Sequence, residues 1–242
     1  MIAKLLFVEI LKVRRSMALL VAFACPLMVV ALNVLIQLKS KHPPPWTMYW
    51  LGNTAVWTYF MYPLYIALVT ALLNGNEHKN GTWRVMLSLP ISSTQLYFSK
   101  LLLAFLFLVL ANVVLFVMCA VGVLLLGLCG LPTVGAFEFT PLKAIAILSV
   151  AVLPVLLFQH WLSWRFSNIV APLTAGVIGT MGIMQIGQSK DWVYYPWSYA
   201  LTAINATNSD AKTQALQLAL AVTCGSVLLT WIWLKKTALE FK

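Results

Sequence analysis

The sequence predicts an all-α, polytopic membrane protein, and two observations support that prediction. Apolar residues make up 62% of the 242-residue chain and charged residues only 9%, with a mean hydropathy of +0.90. These values lie far outside the range of soluble domains. Six stretches are also long and apolar enough to cross a bilayer, which takes about 20 residues per helix. The predicted spans are residues 17–38, 52–73, 101–126, 144–163, 168–186 and 213–234.

The first apolar stretch is interpreted as a membrane anchor and not as a signal peptide. Cleavage after Ala24 would leave only residues 17–21 as an apolar core, whereas the apolar run continues to Leu38. The preceding segment, KLLFVEILKVRR, sets Glu9 and the lysines apart from the leucines, which predicts an amphipathic helix within residues 1–16 that lies in the membrane interface. No remaining segment is long enough for a soluble domain, so residues 1–242 are expected to form a single membrane domain.

The basic residues predict that both termini face the cytoplasm, because positively charged loops stay on that side of the membrane. In this orientation eleven lysines and arginines face inward and five face outward. The net charge of +10 therefore reflects membrane topology, and no nucleic-acid partner is expected. The inward set is Lys4, Lys12, Arg14, Arg15, Lys79, Arg84, Lys100, Arg165, Lys235, Lys236 and Lys242, and the outward set is Lys39, Lys41, Lys143, Lys190 and Lys212.

Carboxylate side chains are absent from the predicted spans. All six acidic residues lie outside them, which argues against an intramembrane acid–base enzyme and against ion-coupled transport. His42, His78 and His160 are dispersed along the chain, so no metal site is predicted. The sequence also lacks the GxxxxGK motif of a phosphate-binding loop. We therefore expect no catalytic residue, metal or cofactor in this chain, and an energy source in another.

Uncharged polar and small residues inside the spans have two interpretations. An amide in a membrane helix forms an interhelical hydrogen bond more often than a substrate contact, and small residues at four-residue spacing let two helices approach closely. Helix packing and contact with a transported molecule therefore both remain open. The candidate residues are the amides Asn33, Asn112 and Gln185 and the small-residue stripe Ala171, Ala175 and Gly179.

The loop between the second and third spans, residues 76–100, reads NEHKNGTWRVMLSLPISSTQLYFSK. Spacings of three, four and seven put Trp83, its apolar neighbours and Pro90 on one face, which predicts a short surface helix over residues 82–90. Asn80-Gly81 supplies a turn before it, and Ser92 with Gln95 predicts a capping box that opens the third span. Periodicity alone does not distinguish a connector from a functional element.

The order Glu77, then Gly81-Thr82-Trp83, then LSLPISSTQLYFSK ending at Lys100 resembles the cytoplasmic loop of type-2 ABC transporter permeases. Six spans, an interfacial N-terminal helix and cytoplasmic termini recur in that family, so the resemblance covers essentially the whole chain. The loop is most similar to that of short permeases in bacteriocin or lantibiotic self-protection exporters. YYPWSYA, residues 194–200, resembles the aromatic segment that these permeases carry before the last span.

The resemblance implies a subunit of the bacterial cytoplasmic membrane that forms half of a translocation path. A second permease, identical or related, would supply the other half, and two copies of a separate cytoplasmic ATPase would bind ATP and Mg²⁺. The surface helix would then be a coupling helix that transmits ATPase movement into the spans. The coupling residues that the resemblance implies are Glu77, Gly81, Thr82, Trp83, Arg84, Met86, Leu87 and Pro90.

Three questions stay open from the sequence. The expected cargo is amphipathic, peptide-like or lipid-like, because few charges line any span. Residues 188–212 either dip into the outer leaflet as a gate or lie on the surface as a connector. The alternative functions are an intramembrane enzyme and a non-transporting anchor or sensor for a cytoplasmic partner.

Overall fold

The structure, a computed structural model, describes residues 2–14, 16–40, 44–79, 91–187 and 189–240. All regular structure in these ranges is helical, which confirms the predicted fold class. Single 3₁₀ turns, Lys190–Tyr194 and Pro196–Ser198, and one π turn, Trp57–Met61, interrupt the α-helices. The α-helices are α1 (Ile2–Val13), α2 (Met17–Lys39), α3 (Trp46–Val56), α4 (Tyr62–Lys79), α5 (Ser93–Leu128), α6 (Pro141–Ala151), α7 (Leu153–Arg165), α8 (Val170–Ile186), α9 (Tyr199–Asn205) and α10 (Ser209–Glu240).

Four helical segments in the described residues are long and apolar enough to cross a membrane: Met17–Lys39, Trp46–Gly75, Ser93–Leu128 and Ser209–Lys236. α6 and α7 together make a fifth if the bent pair is one span. α8 covers the remaining predicted span, but with 17 residues it is a shorter apolar helix. The structure thus supports four or five spans by length and composition, and the count of six stays a prediction.

Prolines explain where two of these segments depart from regular α-helix. α6 and α7 meet at 48°, and the bend falls at Val152, two residues before Pro154. A proline ring inside a helix collides with the carbonyl group four residues earlier and removes one hydrogen bond, so the helix breaks just ahead of Pro154. The π turn Trp57–Met61 lies in the same relation to Pro63.

The longest helix, α5, begins with the capping box that the sequence predicts. The Gln95 backbone N–H donates to Ser92 Oγ at 3.2 Å, and the Ser92 N–H donates to Gln95 Oε1 at 3.4 Å. This reciprocal pair satisfies two of the N–H groups that a helix start leaves open. α5 then packs against α1, α2, α6 and α7, so it forms the centre of the bundle.

A buried hydrogen-bond chain joins the π turn to α5. Trp57 Nε1 donates to Asn112 Oδ1 at 3.0 Å, and Asn112 Nδ2 donates to the Tyr62 hydroxyl at 2.9 Å. The Tyr65 hydroxyl donates to the Phe107 carbonyl one turn away at 2.8 Å. These side chains are almost fully buried. The chain of bonds fixes the rotation of the second span against the third without burying a charge.

α8 approaches its neighbours through glycines. A Cβ atom built on Gly176 would overlap the Cβ of Ala67 in α4, and one on Gly179 would overlap the Trp197 ring. Ala171 and Ala175, predicted to form a stripe with Gly179, are only half-buried. The close approach therefore runs through Gly176 and Gly179, three residues apart on one face.

This geometry predicts opposite outcomes for two glycine-to-alanine substitutions. Gly176→Ala forces α8 away from α4 and should lower the free energy of unfolding by about 1–3 kcal/mol. Gly225→Ala is the matched control, because no atom lies within 4 Å of a Cβ at that position of α10. There the better helix propensity of alanine should raise stability by up to about 1 kcal/mol. Thermal unfolding of the purified protein measures both, and equal Tm shifts would contradict the predicted contact between α8 and α4.

Candidate functional site: a charged cluster at the base of the 76–100 loop

Four charged side chains from three helices meet where the 76–100 loop begins and ends. Lys100 Nζ of α5 lies 2.8 Å from Glu9 Oε2 of α1 and 2.9 Å from Glu77 Oε1 of α4. Lys12 Nζ of α1 lies 2.7 Å from Glu9 Oε1 and 3.1 Å from Glu77 Oε1. Each ammonium group therefore bridges both carboxylates. We call these four residues the charged cluster.

The charged cluster is largely removed from solvent. Lys100 is 1% exposed, Glu9 4% and Glu77 7%, whereas 41% of the Lys12 side chain remains accessible. Two carboxylates and two ammonium groups leave no net charge. This balance matters because a buried charge without its partner costs several kcal/mol, about 3–5 when one partner is removed. The burial of Lys100 is therefore conditional on both glutamates.

Helical spacing explains how α1 supplies two members of the cluster. Glu9 and Lys12 are three residues apart and share one face of α1. The sequence pattern grouped Glu9 with the polar face of an interfacial helix, but the structure turns this carboxylate into the bundle. Phe7 and Leu11 remain 63% and 52% exposed. The helix is amphipathic with its charged face inward, and its apolar residues are available to lipid.

The neighbouring charges shift the pKa values of the two α1 residues in opposite directions. Burial on its own would raise the pKa of Glu9, but the ammonium groups of Lys100 and Lys12 outweigh it and hold that pKa below its ordinary value. Burial would lower the pKa of Lys12, and the carboxylates of Glu9 and Glu77 raise it instead. Both shifts favour the charged forms of Glu9 and Lys12.

The structure brings one predicted coupling residue into the cluster, namely Glu77. The other seven, Gly81, Thr82, Trp83, Arg84, Met86, Leu87 and Pro90, lie outside the described residues. Glu77 and Lys100 stand on either side of that segment, at the end of α4 and in the third turn of α5. The two bases of the loop are thus joined to each other by one ion pair of 2.9 Å.

A second, uncharged group lies beside the charged cluster. Asn74 Nδ2 donates to Ser163 Oγ at 2.7 Å and lies 3.3 Å from His160 Nδ1. His160 Nε2 lies 3.3 Å from the Tyr97 carbonyl oxygen. Asn74 and Tyr97 each precede a cluster residue, Glu77 and Lys100, by three positions, so they occupy the same helix faces. This group ties α7 to the bases of the loop.

Gln159 and His160, which are adjacent in α7, are both fully buried. The Gln159 amide lies against α8, where it can donate to the Pro172 carbonyl at 3.0 Å and accept from the Gly176 N–H at 3.1 Å. In the sequence, two adjacent polar residues follow the apolar run 151–158. This pattern is consistent with contacts to other polar groups, but it does not identify the partners.

At the other end of the second span, residues 189–205 fold back into the bundle. α9 carries buried residues that include Tyr199 and Thr202, and it packs against α3, α6 and α10. Asn205 at its end lies 3.3 Å from the hydroxyl groups of Thr54 and Thr58, which flank the start of the π turn. Of the two earlier interpretations, the described part of 188–212 is therefore not a simple surface connector.

The remaining candidates fall in different environments. Asn112 is buried and hydrogen-bonded within the bundle, whereas Asn33 is half-buried beside Gly52. Gln185 is exposed at the end of α8. Gly179 is a contact point for Trp197. The six candidates, which also include Ala171 and Ala175, do not converge on a single site. The hydrogen bonds of Asn112 are those of a residue that packs two helices together.

A family model described as ABC-2 family transporter protein matches residues 5–183. The chain belongs to the ABC-2 transporter family. The match includes all four residues of the charged cluster and the whole 76–100 loop of this ABC-2 permease. No curated protein and no solved structure matches the chain.

Family membership sets the general role of the molecule. An ABC-2 permease is the membrane component of an ABC transporter and associates with an ABC ATPase. The predicted resemblance to type-2 ABC permeases is confirmed. The narrower similarity to bacteriocin-protection permeases stays a prediction.

Removing Lys100 should release α1 from this ABC-2 permease. Lys100→Met leaves two buried carboxylates facing one partly exposed ammonium group, and we expect a loss of about 3–5 kcal/mol in the free energy of unfolding. Lys143→Met, at an exposed position of α6, is the control. The double variant Glu9→Met/Lys100→Met keeps the neutral pair of Lys12 and Glu77 and should recover most of the loss. If Lys100→Met and Lys143→Met unfold at the same temperature, the cluster does not hold α1.

The pKa shifts also predict how stability depends on pH. The lowered pKa of Glu9 contributes stability that is present above the ordinary value of 4.5 and is lost as the pH falls through the folded value. The raised pKa of Lys12 contributes stability that is present below 10.5 and is lost as the pH rises through its folded value. Tm should thus be flat between about pH 5 and 10 and fall on both sides. A Glu9→Gln variant whose acid-side decline matches that of the native protein would exclude Glu9 as the cause.

Proposed function

We propose that this permease forms half of the translocation path of an ATP-driven exporter in the bacterial cytoplasmic membrane, with both termini inside. A second permease, either another copy of this chain or a related one, completes the path. Two ATPase subunits bind ATP and Mg²⁺ on the cytoplasmic side. The observation that carries the proposal is the charged cluster, because it links both bases of the predicted coupling loop to α1.

The cluster suits the transmission of force. Its four ion pairs, 2.7–3.1 Å long, connect α1, α4 and α5 by short charged contacts in a buried position. Movement of the loop would therefore reach α4 through Glu77 and α5 through Lys100 together, and α1 would follow through Glu9. The uncharged group of Asn74, His160 and Ser163 extends the connection to α7.

We propose residues 82–90 as the coupling helix within this arrangement. Gly81 provides the turn before Thr82, and Pro90 ends the helix. Trp83, Met86 and Leu87 then contact the ATPase or the membrane domain through one apolar face. Arg84 supplies a charged contact at the joint. The position of Glu77 at the base of the same loop supports this assignment.

We propose α9 as a gate at the outer end of the path. Its terminal Asn205 meets Thr54 and Thr58 through hydrogen bonds of 3.3 Å, at the long end of the usual range. Such bonds are weak and can open without leaving a charge unpaired. Because Thr54 and Thr58 adjoin the π turn, rotation of the second span would separate them from Asn205.

The cargo that fits this permease is amphipathic and peptide-like or lipid-like. Among the described residues, the buried polar groups of the spans are amides, hydroxyls and one imidazole, while the buried carboxylates and ammonium groups belong to the cluster at the base of the loop. A path lined in this way has no fixed charge to bind a small ion. It can accommodate a molecule with both polar and apolar surface.

The double variant Glu77→Ala/Arg84→Ala tests the coupling assignment. Because Glu77→Ala takes one of two buried partners from Lys100, we expect a lower Tm, so activity is compared per assembled complex. With the ATPase co-expressed, transport and the ATPase stimulation that depends on the permease should fall at least about tenfold per assembled complex, since the mechanical link is cut. Lys143→Ala/Lys212→Ala, two surface positions at the other end of the spans, is the matched control. Purification, ATP hydrolysis and transport into vesicles are measured for the same preparations.

Two results would count against the proposal. Unchanged ATPase stimulation and transport in Glu77→Ala/Arg84→Ala would remove the coupling role. Failure of any ATPase to co-purify with the native permease, combined with activity that depends on a polar residue such as Asn112, would indicate an intramembrane enzyme. If no ATPase co-purifies and no activity depends on a polar residue of the spans, the protein would be an anchor or sensor.

A further inference from the structure

An apolar groove of about 270 Å³ lies between α5, α7 and α10. α5 and α10 are both long and apolar enough to cross a membrane. Leu102 of α5, Leu157 of α7 and Val227 of α10 are among its lining residues. Among the described residues that line the groove, Thr223 is the one polar residue, and its hydroxyl donates to the Ala219 carbonyl oxygen at 2.6 Å. Leu102 is 39% exposed, so the groove is open along its side. It can therefore be reached from the hydrocarbon region.

An aromatic layer follows the groove toward the base of the bundle. The Trp161 ring of α7 meets the Trp233 ring of α10 edge-on at 6.3 Å, and Tyr97 meets Trp164 at 5.1 Å. Since Leu157 and Val227 precede this tryptophan pair by four and six residues, α7 and α10 run in the same direction beside the groove. Tryptophan and tyrosine favour the boundary between hydrocarbon and headgroups. The groove thus ends at the depth of that boundary.

A basic rim follows the aromatic layer. Arg165 comes directly after Trp164, and Lys235 and Lys236 come shortly after Trp233. All three residues are exposed, and Lys235 Nζ lies 3.8 Å from the centroid of the Trp231 ring. Arg165 is eight residues beyond Leu157, and Lys235 is eight beyond Val227. A rise of about 1.5 Å per residue places both cations about 12 Å below the groove.

We propose that this surface binds one anionic phospholipid, with an acyl chain in the groove and the headgroup phosphate at Arg165 and Lys235, while Lys236 adds positive charge on the neighbouring face of α10. The apolar groove, the aromatic layer and the basic rim follow one another in the order in which one leaflet changes from acyl chain to headgroup. Basic residues at the membrane surface attract anionic lipids, and arginine binds phosphate through two parallel hydrogen bonds. A zwitterionic lipid fills the same groove but leaves the basic rim without a net counter-charge. The inference is independent of the proposed export function.

Native mass spectrometry of the purified full-length permease tests this site. The protein is reconstituted in nanodiscs that contain equal amounts of phosphatidylglycerol and phosphatidylcholine, and the lipid retained on each subunit is identified. We expect one tightly held lipid with a preference for phosphatidylglycerol of about tenfold or more, in line with the attraction of three cations.

Two kinds of variant separate the headgroup from the acyl chain. Arg165→Gln/Lys235→Gln/Lys236→Gln should abolish the preference for phosphatidylglycerol while one lipid is still retained. Val227→Phe should fill the groove and remove the retained lipid of either type. Leu102→Trp fills the same space from the exposed edge and gives a second test if Val227→Phe does not fold. Lys39→Gln/Lys143→Gln/Lys212→Gln, at the opposite ends of the spans, should leave both lipid occupancy and preference unchanged.

Three outcomes would overturn the proposal. The rim variant could keep the native preference for phosphatidylglycerol, or both groove-filling variants could keep the lipid. A groove-filling variant could also convert a dimer into a monomer without loss of lipid, which would identify the groove as a contact with a second copy of the chain. Loss of lipid with normal ATPase stimulation would support the site and leave the coupling proposal intact.

Discussion

A charge that is buried among apolar helices needs opposite charge within a few ångströms, and this requirement determines how the loop end of the bundle is built. Lys100 is nearly inaccessible in a helix that is otherwise strongly apolar. Its position is tolerable because Glu9 and Glu77 approach it from two other helices. Three helices that are far apart in sequence therefore have one permitted arrangement at this end. Contacts between uncharged groups alone would not fix the positions of these three helices along one another.

The interior of the spans is held together differently. The chain of bonds from Trp57 through Asn112 to Tyr62 joins two spans with neutral groups, and Gly176 lets α8 lie directly against α4. Interhelical hydrogen bonds of this kind contribute about 0.6 kcal/mol on average in membrane bundles. The permease thus combines a stiff ionic joint at the loop with softer contacts along the spans. Rigid contacts at the loop end and weaker contacts along the spans suit a subunit in which a movement at the loop would have to change the packing of the spans.

Much of the fold could be predicted from local patterns, because run length, proline position and capping residues act within a few residues of where they occur. The apolar runs, the bend ahead of Pro154 and the Ser92–Gln95 capping box are of this type. The inward orientation of the Glu9 side chain could not be predicted, since its partner Lys100 lies 91 residues away. An amphipathic helix can turn its charged face either to water or to another helix. α9 has only seven residues and no periodicity to identify it, so its burial depends on contacts with three other helices. The resemblance identified Glu77 as a coupling residue, which stays a prediction, whereas its ion pair with Lys100 needed the structure.

The separation of 91 residues between Glu9 and Lys100 also has a consequence for biosynthesis. α1 leaves the ribosome first but cannot dock until α5 has been made, which takes roughly 5–20 s at 5–20 residues per second. During that interval the exposed Phe7 and Leu11 can keep α1 on the lipid surface, while Glu9 and Lys12 neutralise one another three residues apart. The pair within α1 thus serves as a temporary partner for Glu9 until the permanent one is inserted. Assembly of the loop end then coincides with insertion of the third apolar segment.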